Sequence, residues 1–218
     1  AAASPAPAIG PLNHRRPRIA IPLSTPLDHL QHAIFHSDPP SLEDQLLKLY
    51  GNADPARSPP LKVYTDGSCL KPNTSSARAG IGIFVGPSHA LNLSSRVCGP
   101  QRNNRAELLA ILAVIQHTPL ARPLEIFTDS TYAISSLVFL APANAQCGWV
   151  CPNGDILQVL VQWIASRSTP LRLTHIRAHH GHLQNEMADR LAKEGAARPL
   201  PRENSPLDFL SHAPPPRF

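Results

Sequence analysis

Five residues of this 218-residue chain have side chains and spacings that could carry chemistry: Asp66, Glu107, Asp129, His179 and Asp189. Asp66 follows a β-branched and aromatic run, Leu61 to Thr65, and precedes Gly67 and Ser68. That pattern predicts a strand that sets the acid at its end and turns at once. Asn103-Asn-Arg-Ala-Glu107 opens an apolar helix, and Ile126-Phe-Thr-Asp129-Ser130 ends a second strand. His179-His-Gly-His leads through Asn185 to Asp189 in a last helix. Carboxylates brought close together repel unless neutralised, and hard oxygen donors at this density favour Mg²⁺ or Mn²⁺ over Zn²⁺. Two such ions roughly 4 Å apart can activate a water and stabilise the leaving oxygen of a phosphodiester. Each acid also has a structural alternative: Asp129 as a helix cap, Glu107 as a first-turn dipole residue, Asp189 as an i,i+4 partner of Lys193. Those alternatives would all have to hold in one chain and in this order, which favours a shared site.

The elements that must position these residues are legible from Leu61 on. Leu61–Thr65, Ala79–Val85 and Ala90–Val97 read as three strands joined by short connections, hence an antiparallel meander. Asn103 is expected to cap a helix whose run Leu108–Ile115 is apolar nearly all round, as a buried central helix should be, and which stops by Pro119. Leu124–Thr128 reads as strand four, Ser130–Leu140 as a second helix, Asp155–Ala165 as a third, Leu171–Ile176 as strand five and Leu183–Ala197 as a final amphipathic helix, with Glu186 and Arg190 placed as an i,i+4 pair. The order βββαβααβα predicts an α/β fold: a mixed five-stranded sheet, three antiparallel strands and then parallel ones, with helices on both faces.

Composition divides the chain. Eleven of the 25 prolines precede Leu61 and six lie from Pro199 on, so residues 59–198 read as the globular domain. Residues 1–58 read as a Pro-rich linker or the fragment of a preceding domain, and 199–218 as a Pro-rich tail. Within the leader, Leu27 to Phe35 and Ser41 to Tyr50 are short candidate helices, the second opened by a Ser41/Asp44 capping box. From Pro59 on, fifteen Lys and Arg face ten Asp and Glu. With four acids gathered on metal, the remaining surface is basic and suits a polyanionic partner. Cys69, Cys98, Cys147 and Cys151 form no regular framework and read as the reduced thiols of an intracellular protein, a zinc site at Cys147 and Cys151 with nearby His being the alternative. No apolar run reaches the roughly 18 residues of a membrane span. Met187 is the only methionine, so the chain is expected to begin at a processing point or an imposed boundary rather than at its own start codon.

Taken together, Tyr-Thr-Asp66-Gly-Ser-Cys, Asn103-Asn-Arg-Ala-Glu107-Leu, Thr128-Asp129-Ser-Thr-Tyr and His179-x-Gly-His-x-x-Asn185-Glu-x-Ala-Asp189 resemble the type I ribonuclease H family, which cuts the RNA strand of RNA–DNA hybrids. The resemblance spans Leu61 to about Ala197. It implies a ribonuclease H-like fold, two Mg²⁺ ions (Mn²⁺ able to substitute) on Asp66, Glu107, Asp129 and Asp189, and His179 as a mobile assistant in proton transfer or product escape. His180 and His182 are its neighbours, not its equivalent. It further implies substrate contacts from Asn103 and Asn104 to ribose 2′-hydroxyls, with Arg105, Cys69, Thr131 and Asn185 also on the substrate side. Thr131 stands where the family often has a longer amide donor, and Asn185 matches a residue that supports the His loop.

One departure stands out: between Thr131 and Ser166 there is no Lys or Arg, only Asp155, where many members carry a basic helix and loop that grip the DNA strand. Trp149 in that stretch is expected to be a half-buried surface residue, with stacking on sugar or base as the alternative. Hybrid affinity is then expected from Lys71, Arg78, Arg102, Arg105 and Arg177, or from another domain. The departure, with the leader, favours the ribonuclease H domain of a retroviral or retroelement reverse transcriptase, with a polymerase domain on the same polyprotein as partner. In that case virion or cytoplasm is the expected location. The alternatives are a free-standing cellular enzyme, in nucleus or cytoplasm, and a catalytically silent hybrid-binding domain.

Overall fold

The computed structural model describes residues 40–54, 58–177, 181–201, 210 and 214. Residues 1–39, and with them the predicted helix Leu27 to Phe35, lie outside those residues. His179 and His180 lie outside them too.

From Pro40 the chain opens with α1 (Leu42–Tyr50), whose N-terminus is capped as expected, the Ser41 hydroxyl accepting from Asp44 N at 3.0 Å. Five strands follow the expected order: β1 (Leu61–Leu70), β2 (Arg78–Phe84), β3 (Leu93–Arg96), β4 (Leu124–Thr128) and β5 (Leu171–His175). They form one sheet ordered β3-β2-β1-β4-β5, antiparallel from β3 to β1 and parallel from β1 to β5. The long helices α2 (Asn103–His117) and α5 (Gly154–Ser166) and the final helix α6 (Leu183–Ala197) lie around it; α3 (Thr131–Ile134) and α4 (Ala141–Gln146) are short.

Several boundaries differ from the sequence reading. β1 does not end at Thr65. Its parallel pairing with β4 covers only Leu61 to Tyr64, but its antiparallel pairing with β2 continues to Leu70, so Asp66 sits inside the strand, opposite Gly82. Gly67 is there for space rather than for a turn: a Cβ at this position would lie 2.3 Å from Glu107 N, so its absence lets the start of α2 reach the strand. Asn103 is the first residue of α2 rather than its cap; Arg102 occupies the cap position without a side-chain bond. β3 is shorter than expected, because Asn92 closes the preceding loop by accepting from Val85 N and donating to Gly86 O. The helix predicted over Ser130–Leu140 breaks into α3 and a π turn, Ser135–Phe139, where Leu140 N bonds Ser135 O at 2.9 Å. Pro142 then opens α4 in the first turn, the one place where a missing N–H goes unnoticed. Arg190 pairs with Glu194 rather than Glu186.

The core is built on α2, which is buried continuously from Arg105 to Ile115. On the α6 side the contact is made of small residues. Ala188, Ala192 and Ala196 are wholly buried, and a Cβ on Gly82 or Gly80 would fall 2.0 Å from Ala188 O or 2.1 Å from Ala196 N. Gly67 faces α2, whereas Gly80 and Gly82 face α6. Because Gly67 pairs with Ile81, between those two glycines, the alternation of the strand sets α2 and α6 on opposite faces of the sheet. Among the described residues no helix is long and apolar enough to cross a membrane.

Candidate active site

Three elements bring three acids to one point. Asp66 comes from the middle of β1, Glu107 from the second turn of α2, and Asp129 from the residue after β4. Each offers a carboxylate oxygen, and all three lie within 4.8 Å of one another. Asp66 and Glu107 are buried, and Asp129 is half-buried.

Local bonding leaves these carboxylates available. Asp129 is not the cap of α3. Ser130 is, accepting from Ala133 N at 3.2 Å, while Thr128 Oγ1 accepts from Ser130 N at 3.1 Å and fixes the turn. Asp129 instead accepts from Asn185 Nδ2 at 3.3 Å. Glu107 Oε1 receives a long bond from Asn103 Nδ2 at 3.5 Å, the Gly67 backbone N–H also favours the charged carboxylate, and Glu107 Oε2 is buried without a hydrogen-bond partner. An orphaned carboxylate oxygen among like charges is strongly unfavourable unless a proton or a cation compensates it. Burial pushes the Asp66 carboxyl up to about 8, with Asp129 and Asp189 acting in the same direction. Glu107 is likewise raised, first by burial and then by Asp66 and Asp129.

Asp189 stands differently. It is in the second turn of α6, close enough to Asp66 to help raise that residue's carboxyl. Its Oδ2 also accepts from Lys193 Nζ at 2.7 Å, the i,i+4 pair weighed above as an alternative, and this bond holds the ammonium above its usual range.

Of the expected substrate-side residues, Asn103, Asn104 and Thr131 are exposed near the acids in sequence, on α2 and α3. Cys69 is half-buried, its Sγ donating to Gln101 O at 3.5 Å. Asn185 is buried with its amide on Asp129, and its Oδ1 has no hydrogen-bond partner. Arg105 departs from the expectation that it grips substrate: it is 7% exposed and forms a two-pronged bridge to Asp155, at 3.1 and 2.7 Å. The bridge ties the first turn of α2 to the first turn of α5, and it holds the Asp155 carboxyl below its usual range.

Gln101 went unnoticed in the sequence. Its amide donates to Val97 O and Gly99 O, and accepts from Ala79 N and Arg96 Nε, so one side chain shapes the loop that delivers Asn103. Nothing in residue type or periodicity marks such a glutamine. Cys147 and Cys151 are free thiols, and among the described residues neither belongs to a convergent group of three metal donors. Trp149 is half-buried and packs on the core as expected.

A protein-family model described as RNase H matches residues 58–197. The chain is 34% identical over 140 residues to Ribonuclease H1 of Homo sapiens, covering 62% of this chain and 49% of that protein. It is 32% identical over 142 residues to Ribonuclease H of Schizosaccharomyces pombe, covering 62% and 52%. The chain thus spans about half the length of these curated relatives. The solution structure of the PFV RNase H domain superposes with a TM-score of 0.52 at 23% identity, covering 62% of this chain and 93% of that one, a likeness of fold.

Proposed function

The chain belongs to the ribonuclease H family, and on that premise we propose that it hydrolyses the RNA strand of RNA–DNA hybrids with two Mg²⁺ ions, Mn²⁺ being able to substitute. The reading is carried by one observation: Asp66, Glu107 and Asp129 converge within 4.8 Å, and Glu107 Oε2 is buried among them with no protein partner. That donor set, all hard oxygen and no thiolate or imidazole, fits Mg²⁺ or Mn²⁺. Bound there, such ions supply Lewis-acid chemistry, activating water and neutralising charge on the scissile phosphodiester.

The chain's own residues do the rest. Asp66, Glu107 and Asp129 would hold one ion, and Asp66 with Asp189 the other. Asn185 keeps the Asp129 carboxylate turned into the site through its amide. Asn103 and Asn104, at the exposed start of α2, would meet ribose 2′-hydroxyls, the groups that distinguish RNA from DNA. His179 is the proposed proton donor to the leaving oxygen, its ordinary pKa lying near neutrality.

Two settings compete for this activity. A domain of a reverse transcriptase polyprotein accords with the absence of Lys and Arg from the Thr131–Ser166 stretch, since a neighbouring domain could then supply the grip on the hybrid. A free-standing cellular enzyme accords with the similarity to the human and Schizosaccharomyces pombe proteins. Nicking assays with hybrid, duplex RNA and duplex DNA test the activity: only the hybrid's RNA strand should be cut, and only with Mg²⁺ or Mn²⁺. Asp129→Asn should lower the rate by at least about a hundredfold with an unchanged circular dichroism spectrum. Hybrid binding without cleavage by the wild type would favour the silent binding domain.

A further inference from the structure

Asn185, Asp189 and Lys193 stand at i, i+4 and i+8 on α6 and so share one face of the helix. Each of the first two stands beside an acid of the site, Asn185 donating to Asp129 at 3.3 Å and Asp189 lying near enough to Asp66 to raise its carboxyl. The third ends the row with a positive charge, Lys193 Nζ lying 2.7 Å from Asp189 Oδ2. The four acids are therefore not equivalent. Three offer oxygens within 4.8 Å of one another, whereas Asp189 is not in that group and is held by an ammonium of the same chain.

We propose that Lys193 is a resident counter-charge: a positioning residue that occupies the Asp189 side of the site, so that a divalent cation shared by Asp66 and Asp189 must first displace its ammonium, while one held by Asp66, Glu107 and Asp129 need not. The inference rests on the two-ion reading given above. The lysine side chain is 55% exposed and Asp189 29%, so the ammonium can swing into water on its flexible stem without disturbing the core. The other nearby cation of the helix does not compete for the carboxylate, since Arg190 pairs with Glu194 at 3.3 Å. The two ions should consequently bind in unequal steps, with Lys193 setting the weaker one.

The test is a Mn²⁺ titration of the full chain, free Mn²⁺ being counted by its electron paramagnetic resonance signal. The wild type should bind two ions with distinct affinities. Lys193→Met keeps the length of the side chain and removes the charge; it should tighten the weaker step by about three- to tenfold and leave the tighter one within about twofold. Lys193→Arg should restore the wild-type difference. If Lys193→Met leaves the weaker step unchanged or loosens it, or tightens both steps equally through the general field, the counter-charge role is overturned while the two-ion reading stands. Binding of one ion or none by the wild type overturns both.

Discussion

Asp66 bears its negative charge against burial and against Asp129 and Asp189, which raises its carboxyl from 3.8 to about 8 on folding. A raised acid means that the folded chain holds the proton more tightly than the unfolded one. Its contribution to stability is then fully present below about pH 4, and is lost as pH rises through about 8. Glu107 acts in the same direction. In the presence of a chelator the melting temperature should therefore fall across this window from the site's contribution. Added Mg²⁺ should recover it at pH 8, and Asp66→Asn should flatten the slope. A metal-free wild type that melts at the same temperature at pH 5 and pH 8 would mean that the carboxylates are not held close in solution. Asp129→Asn should behave as a partial mimic of the cation: inactive, yet more stable than wild type at pH 8 without metal. The acids were legible in the sequence because a carboxylate after a β-branched run or at a helix start has few other reasons to recur four times in order. Their inequality was only half legible: the i,i+4 spacing offered Lys193 as a partner of Asp189, and the 2.7 Å contact shows that the pair forms.

The elements were readable where hydrophobic period alone decides them, and less so where tertiary approach does. β4 and α6 fall where the pattern places them, and α2 is buried all round as its composition demands. β1 runs past its expected end because Gly67 answers to the start of α2, a distant element that no local pattern reveals. The π turn at Ser135–Phe139 was equally hidden, since helical periodicity persists through one inserted residue. Arg105 reads as a surface cation in any sequence, but its guanidinium lies under the junction of α2 and α5 with Asp155 as its partner. Asp155 itself is 53% exposed, so the pair is only partly desolvated. Asp155→Ala should still destabilise the fold by about 2 kcal/mol, because it leaves a buried guanidinium without its carboxylate. Urea unfolding measures this directly, and a loss within error of zero would show that water replaces the lost partner.

At the scale of the whole molecule, the fold extends beyond residues 58–197, and its charge is unevenly spread. α1 lies upstream of that span, yet the Tyr50 hydroxyl donates to Leu137 O in the π turn at 2.6 Å and Asp54 N bonds Ser168 O at 3.2 Å. Tyr50→Phe should cost about 1 kcal/mol in urea unfolding if this upstream segment belongs to the cooperative unit, and nothing if it does not. The Thr131–Ser166 face presents no Lys or Arg, and Arg105 already neutralises its one acid, Asp155. On the proposed function, a hybrid duplex would then be held by exposed cations elsewhere, among them Lys71, Arg78, Arg102 and Arg177, or by a neighbouring domain. Val150 offers a direct way to ask whether the substrate nevertheless passes over this face. It is 88% exposed in the loop between α4 and α5, so replacing it disturbs no packing. If the duplex lies against that loop, Val150→Lys adds one phosphate contact where none exists. Binding should tighten several-fold at low salt, and the plot of log affinity against log salt should steepen by about 1. The cleavage rate at saturating hybrid should stay the same, because the carboxylates are untouched. An unchanged salt slope would place the duplex away from the α4–α5 loop and leave its grip to cations elsewhere on the surface or to a neighbouring domain.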